Sequence, residues 1–181
     1  MIRHALIAAL MVGLATPAFA QGKAFADALV RMHAGVSRNA VEAAEKMPEA
    51  EFAFTPSKDV RTFGGFIGHI ANSEFNYCAR AKGEANPNKE DFEKATGKAA
   101  LVAGIKAAAA YCDAVYKGMT DTALSEMVAM GQSQQPRGQI LVQNISHTNE
   151  HYGNLVTYMR IKGIVPPSTE RATAPARPGV R

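Results

Sequence analysis

Apolar side chains recur every three or four residues along four long stretches of the chain, and alternation with period two is almost absent. This rhythm marks amphipathic helices, each burying one face. The first stretch runs from about Lys23 to Met47, with Phe25, Leu29, Met32, Val36, Ala40, Ala43 and Met47 on one stripe. Pro48 ends it, because proline lacks a backbone donor and restricts the residue before it. A linker follows, in which Phe52 and Phe54 are expected to pin the chain to the core. Thr62 offers an N-cap hydroxyl to a second helix over 63–82, whose buried face holds Phe63, Phe66, Ile67, Ile70 and Cys78. Gly83 suits the left-handed C-cap.

Residues 83–97 form a polar connection with Asn86-Pro87-Asn88 as its turn, long enough to cross an end of a bundle. A third helix is predicted over 98–119, its stripe made by Leu101, Ile105, Ala108, Cys112, Val115 and Met119. Residues 120–136 are less regular, and 131–136 read as a loop. The fourth helix spans about 137–162, with Gly163 as its stop; one face carries Ile140, Asn144, His147, His151, Leu155 and Tyr158. The expected fold is an all-α four-helix bundle over residues 21–164, with connections too uneven for symmetric hairpins.

The two ends read differently. Residues 1–20 combine Arg3, an apolar run from Ala5 to Leu14, and an Ala18-Phe19-Ala20 cleavage signature. These are the parts of a secretory signal peptide, and the run is too short to span a bilayer comfortably. The protein is therefore expected to be exported, periplasmic or secreted, with Gln21 as its mature start and no stable membrane insertion after cleavage. Residues 165–181, rich in Pro, Ala and Arg, are expected to form a flexible basic tail.

Composition narrows the function classes. A chain of 181 residues that is 47% hydrophobic and 20% charged has the makings of one folded domain, which excludes wholesale disorder. The net charge of +4 owes much to Arg171, Arg177 and Arg181 in the tail. No Lys/Arg cluster stands beside stacking aromatics, so no nucleic-acid partner is expected.

The two cysteines, Cys78 and Cys112, fall on helices two and three of a chain bound for an oxidising compartment. We expect a disulfide closing a loop of about 34 residues, worth roughly 3–4 kcal/mol by chain entropy. Two buried thiols are the alternative. There is no C-x-x-C-H for a c-type haem.

Of five histidines, His4 lies in the leader. His147 and His151 are four apart on a helix, roughly 40° from one another and one turn apart. Two imidazoles on a core-facing stripe cost desolvation unless something bonds them. A divalent metal supplies that bond; hydrogen-bonded core histidines are the alternative. His69 on helix two begins a polar strip with Ser73 and Asn76, which should converge on the strip of Asn144, His147 and His151. His33, at the margin of the first stripe, is left out. Three histidine ligands leave an open position, as catalytic sites do. His147-Thr148-Asn149-Glu150-His151 also matches the H-x-x-E-H pattern of inverted zinc peptidases. That reading fails because Glu170, in the tail, is the only acid downstream of His151.

The chain resembles the DinB / YfiT-like superfamily of four-helix metalloproteins, in particular its exported members. The resemblance is carried by Arg61-Thr62-Phe63-Gly64-Gly65-Phe66-Ile67-Gly68-His69-Ile70-Ala71 and by His147-Thr148-Asn149-Glu150-His151-Tyr152-Gly153-Asn154. The ending from Tyr158 to Pro167 and the helix exit Ala43-Ala44-Glu45-Lys46-Met47-Pro48 also fit. It implies a bundle with one long crossover and a metal, zinc or nickel, held by His69, His147 and His151. It also implies thiol-dependent transferase or isomerase chemistry in some members, a role that export puts in question.

Two readings lead. One is a small-molecule metalloenzyme with a metal-activated water or thiol, of hydrolase or thiol-dependent transferase type. Asn144, Ser73, Asn76 and Glu150 are its candidates for proton handling or support of the ligands. The other is a non-enzymatic metal-binding or stress-related exported protein. A purely structural bundle is a third. Gly64-Gly65 allows close packing, against another helix or a second chain as in a homodimer.

Overall fold

Four long helices carry the apolar rhythm in the computed structural model, which describes residues 22–174. They are α1 (Ala24–Lys46), α2 (Phe63–Lys82), α3 (Lys98–Lys117) and α5 (Arg137–Ile161), with a short α4 (Asp121–Leu124) before the last. The signal-peptide reading of residues 1–20 and the last seven residues of the expected tail lie outside the described residues.

The bounds of α2 follow from its ends. The Thr62 hydroxyl accepts from Gly65 N at 3.0 Å, and Gly83 takes φ 80°, a left-handed conformation that favours glycine. α1 and α2 each pack on both α3 and α5, which puts α1 and α2 on a diagonal. Facing residues give the directions. Along α2 and α3 the partners rise together, with Gly64 by Leu101, Phe75 stacked on Tyr111 and Cys78 beside Cys112. These neighbours are therefore parallel. Along α2 and α5 they run opposite, with Phe66 against Tyr158 and His69 against His147. A parallel pair in sequence order requires a long return, and residues 83–97 provide it.

That return is fastened to the bundle rather than looped over its end. A 3-10 turn, Phe92–Lys94, lies on α2 and α3. A Cβ at Gly68 would collide with the Phe92 carbonyl, and one at Gly104 would meet the Phe92 ring at 2.5 Å. The two glycines thus admit the turn. Asn72 clamps it, donating to Asp91 Oδ1 at 2.8 Å and accepting from Phe92 N at 3.0 Å.

The core has two apolar parts. One gathers Phe63, Ile67, Ile70, Ile105, Leu155 and Met159; the other gathers Leu29, Val115, Tyr116, Ile140 and Leu141. Phe52 is buried and Phe54 packs edge-on to Tyr158, so the linker aromatics do pin the connection.

Three expectations need correction. The stripe of α1 holds at Leu29, Ala40, Ala43 and Met47 but not at Phe25 and Met32, each 54% exposed; Ala26, His33, Ser37 and Ala44 complete the inward face. Small residues there let α1 approach its neighbours closely, and Phe25 and Met32 stay outside. The stretch 131–136, expected as a loop in an all-α fold, contributes to an antiparallel hairpin of β1 (Met127–Met130) and β2 (Ser133–Pro136). Gly131, at φ 63°, makes its turn. Finally, the region expected as a flexible tail from 165 onward begins with α6 (Pro167–Thr173). Proline at its first position favours helix initiation, and Pro167 is buried. Glu170 pairs with Lys46, Arg171 pairs with Glu42, and Ser168 accepts from the Tyr152 hydroxyl at 2.8 Å.

Candidate metal centre

The antiparallel pairing of α2 with α5 brings His69 to His147 and His151. Nε2 of His147 stands 3.1 Å from Nε2 of His69 and 3.1 Å from Nε2 of His151. The i, i+4 spacing aims both α5 rings the same way, and His69 meets them from across the groove. Three ring nitrogens this close cannot all satisfy one another by hydrogen bonds, since each neutral ring carries one proton. Ligands about 2.0–2.1 Å from a zinc-sized ion stand about 3.3 Å apart at tetrahedral corners, so this donor set fits a divalent cation.

The outer nitrogens differ. His69 Nδ1 faces Glu93 Oε1 at 2.8 Å, and Glu93 is reached in turn by Arg61 Nε at 3.4 Å. Such a carboxylate fixes the tautomer that leaves Nε2 free to ligate. His147 Nδ1 is buried and has no hydrogen-bond partner among the described residues. His151 Nδ1 lies 3.5 Å from the Asn154 amide, and its ring leans on Phe66.

At His147 and His151 the surroundings favour the neutral ring. Burial, then the neighbouring His151 and His69, push His147 down to about 4. Burial also lowers His151, more than the charge of Glu150 raises it. For Glu93, burial raises the carboxyl pKa, but the hydrogen bond and charge of His69 together with Arg61 outweigh it and hold the group below the ordinary range. Neutral imidazole is the ligand form.

Among the candidate supporting residues, Ser73 and Asn76 stand near His69 in an open polar cleft of about 350 Å³ between α2 and the crossover. Asn76 there accepts from the Asn86 amide at 2.9 Å. Glu150 is exposed. Asn144 does not join the cluster, as its strip had led us to expect. It is buried, with its amide 3.2 Å from the Tyr116 hydroxyl and 3.7 Å from both cysteine sulfurs. Those sulfurs face each other from α2 and α3.

Sequence reasoning missed Glu93 and Asn72. The one available signal was Phe92, a large apolar residue in an otherwise polar connection and flanked by Glu90, Asp91 and Glu93. It also missed the burial of His33, which is fully enclosed between Asp113 (3.2 Å) and Glu74 (3.5 Å).

The fold and site define a class: a helical bundle with a parallel central pair and a three-histidine cluster in the groove between α2 and α5. The family model of the DinB superfamily matches residues 34–155, a span that contains all three histidines, and the chain belongs to that superfamily. Similar solved structures include a DinB-like protein from Bacillus cereus, at 17% identity and TM-score 0.67, covering 78% of this chain and 95% of that one. A DinB-like protein from Bacillus subtilis is 22% identical with TM-score 0.63, covering 75% and 92%. A mycothiol-dependent maleylpyruvate isomerase shares 17% identity with TM-score 0.57, covering 72% of this chain and 60% of its own. At these identities the likeness is one of fold. No curated protein matches the sequence.

Proposed function

We propose that this protein binds one divalent metal ion through His69, His147 and His151 and acts as an enzyme on a small polar molecule. The observation that carries the reading is the convergence of three Nε2 atoms, with those of His69 and His151 each 3.1 Å from that of His147. When bound, zinc or nickel supplies Lewis acidity that activates a water or a thiol. The chain's own residues do the rest. Glu93 orients His69, Phe66 packs against the His151 ring, and the polar cleft beside Ser73 and Asn76 receives the substrate. The fold shared with a thiol-dependent isomerase supports the thiol branch. The same reading includes export as a soluble protein, supported by the leader pattern in residues 1–20, and a Cys78–Cys112 disulfide suited to an oxidising compartment.

Elemental analysis of untagged protein beside a His147→Ala/His151→Ala variant tests the site. We expect one metal ion per chain, lost in the variant with helicity intact. No metal in the parent protein after reconstitution with zinc and nickel defeats the reading. N-terminal sequencing of protein recovered from cell fractions tests export, with Gln21 as the expected start.

A further inference from the structure

At mid-height of the bundle, each long helix places a polar side chain in the interior. His33 comes from α1, Glu74 from α2, Cys112 from α3 and Asn144 from α5, and all four are fully buried. Burying an imidazole and a carboxylate together is costly unless each is bonded. Yet His33 Nε2 and both carboxylate oxygens of Glu74 have no hydrogen-bond partner among the described residues. His33 Nε2 and Glu74 Oε1 face each other at 3.5 Å, and Cys112 Sγ lies with them in a cluster no wider than 4.8 Å. On its outer side, His33 Nδ1 is held by Asp113 Oδ1 at 3.2 Å, and the ring is stacked on Tyr116. An imidazole anchored outward on a carboxylate, with its inner nitrogen free, is how metal-ligating histidines are presented.

We propose that His33, Glu74, Cys78 and Cys112 form a second metal site, open only when the two sulfurs are not bonded to each other, and that it takes one thiophilic divalent cation, zinc. Two electrons and two protons from a dithiol reductant, itself oxidised to a cyclic disulfide, convert the Cys78–Cys112 bond into two thiols. Zinc binding then releases both thiol protons. Two thiolates, one imidazole and one carboxylate make a four-coordinate set. The Asn144 amide, 3.7 Å from each sulfur, is placed to donate to the thiolates. Metal and disulfide compete for the same sulfurs, so zinc bound here blocks oxidation and oxidation expels zinc.

The test uses the full chain carrying His147→Ala/His151→Ala, so that the histidine cluster of α2 and α5 contributes nothing. After reduction with a phosphine and titration with cobalt(II), we expect one ion per chain and a thiolate-to-cobalt charge-transfer band in the near ultraviolet. The band should vanish on adding zinc, on reoxidation, and in Cys112→Ser. It should weaken in His33→Gln and Glu74→Gln, which keep much of the side-chain volume. A reduced, folded chain with no band overturns the proposal. So does a band that both glutamine variants leave unchanged. Should reduction unfold the chain, recovery of helicity on adding zinc supports the site, and failure to recover overturns it.

Discussion

Two clusters of titratable side chains among the described residues are built in opposite ways. The three-histidine cluster is half-buried, draws ligands from two helices, and is steadied from outside by a carboxylate on the crossover. The His33–Glu74 cluster is wholly buried, draws on all four long helices, and leaves several polar atoms unpartnered. Polar groups at the rim of a bundle keep access to water when a partner is lost; the same groups at its centre do not. The first arrangement is suited to binding something from solution. The second makes stability hostage to its own occupancy.

The contrast breaks most sharply at Glu74. Glu74→Ala opens a void at the centre of the bundle beside His33, so it should destabilise the protein by about 2–5 kcal/mol. Chemical denaturation measures this, and a His33→Leu/Glu74→Met pair should recover most of the loss. The histidine cluster should answer differently. Glu93→Gln keeps the shape but weakens the anchor on His69, and should cost about 10–100-fold in metal affinity. The metal-free protein should unfold within about 0.5 kcal/mol of its parent, as expected of a surface substitution. An equal loss of stability in both variants would erase the distinction between the clusters.

Acid sharpens it further. Burial holds His147 at about 4 in the folded chain, against 6.5 for an exposed imidazole. The unfolded chain therefore binds a proton that the folded, metal-free chain refuses between these values. Stability should fall as pH drops through that window and level off below it. Melting temperatures of metal-stripped protein against pH measure the slope, which should flatten in His147→Gln. The smallest effect lies outside both clusters. Thr62→Ala removes the N-cap of α2 and should cost about 1 kcal/mol, with metal stoichiometry unchanged.

How much of this was legible depended on where the information lay. The expected span of α2 needed no revision, because a threonine cap and a left-handed glycine are local signals. The pair His147 and His151 was legible from its i, i+4 spacing, and His69 from a polar interruption in an apolar pattern. The α1 stripe was legible at Leu29, Ala40, Ala43 and Met47 but misjudged at Phe25 and Met32, which outshone Ala26 and Ala44 although close helix packing favours the small residues inside. The hairpin at 127–136 was invisible to periodicity, since strands of four residues are too short to show an alternation. Glu93 was hidden for a different reason. Its role is set by where the crossover lands, and Gly68, Gly104 and Asn72 determine that from outside the connection itself.

The cysteine pair has a bearing on motion as well. Cys78 and Cys112 bracket the entire crossover, so a bond between them makes a closed ring that includes Glu93 and the turn lying on α2 and α3. In a ring, that strap has few ways to swing clear, and its departures from the groove are short excursions rather than a peeling of the chain. Amides of residues 91–95 should then exchange with solvent through small local openings while the ring is closed, and through a larger cooperative opening once it is cut.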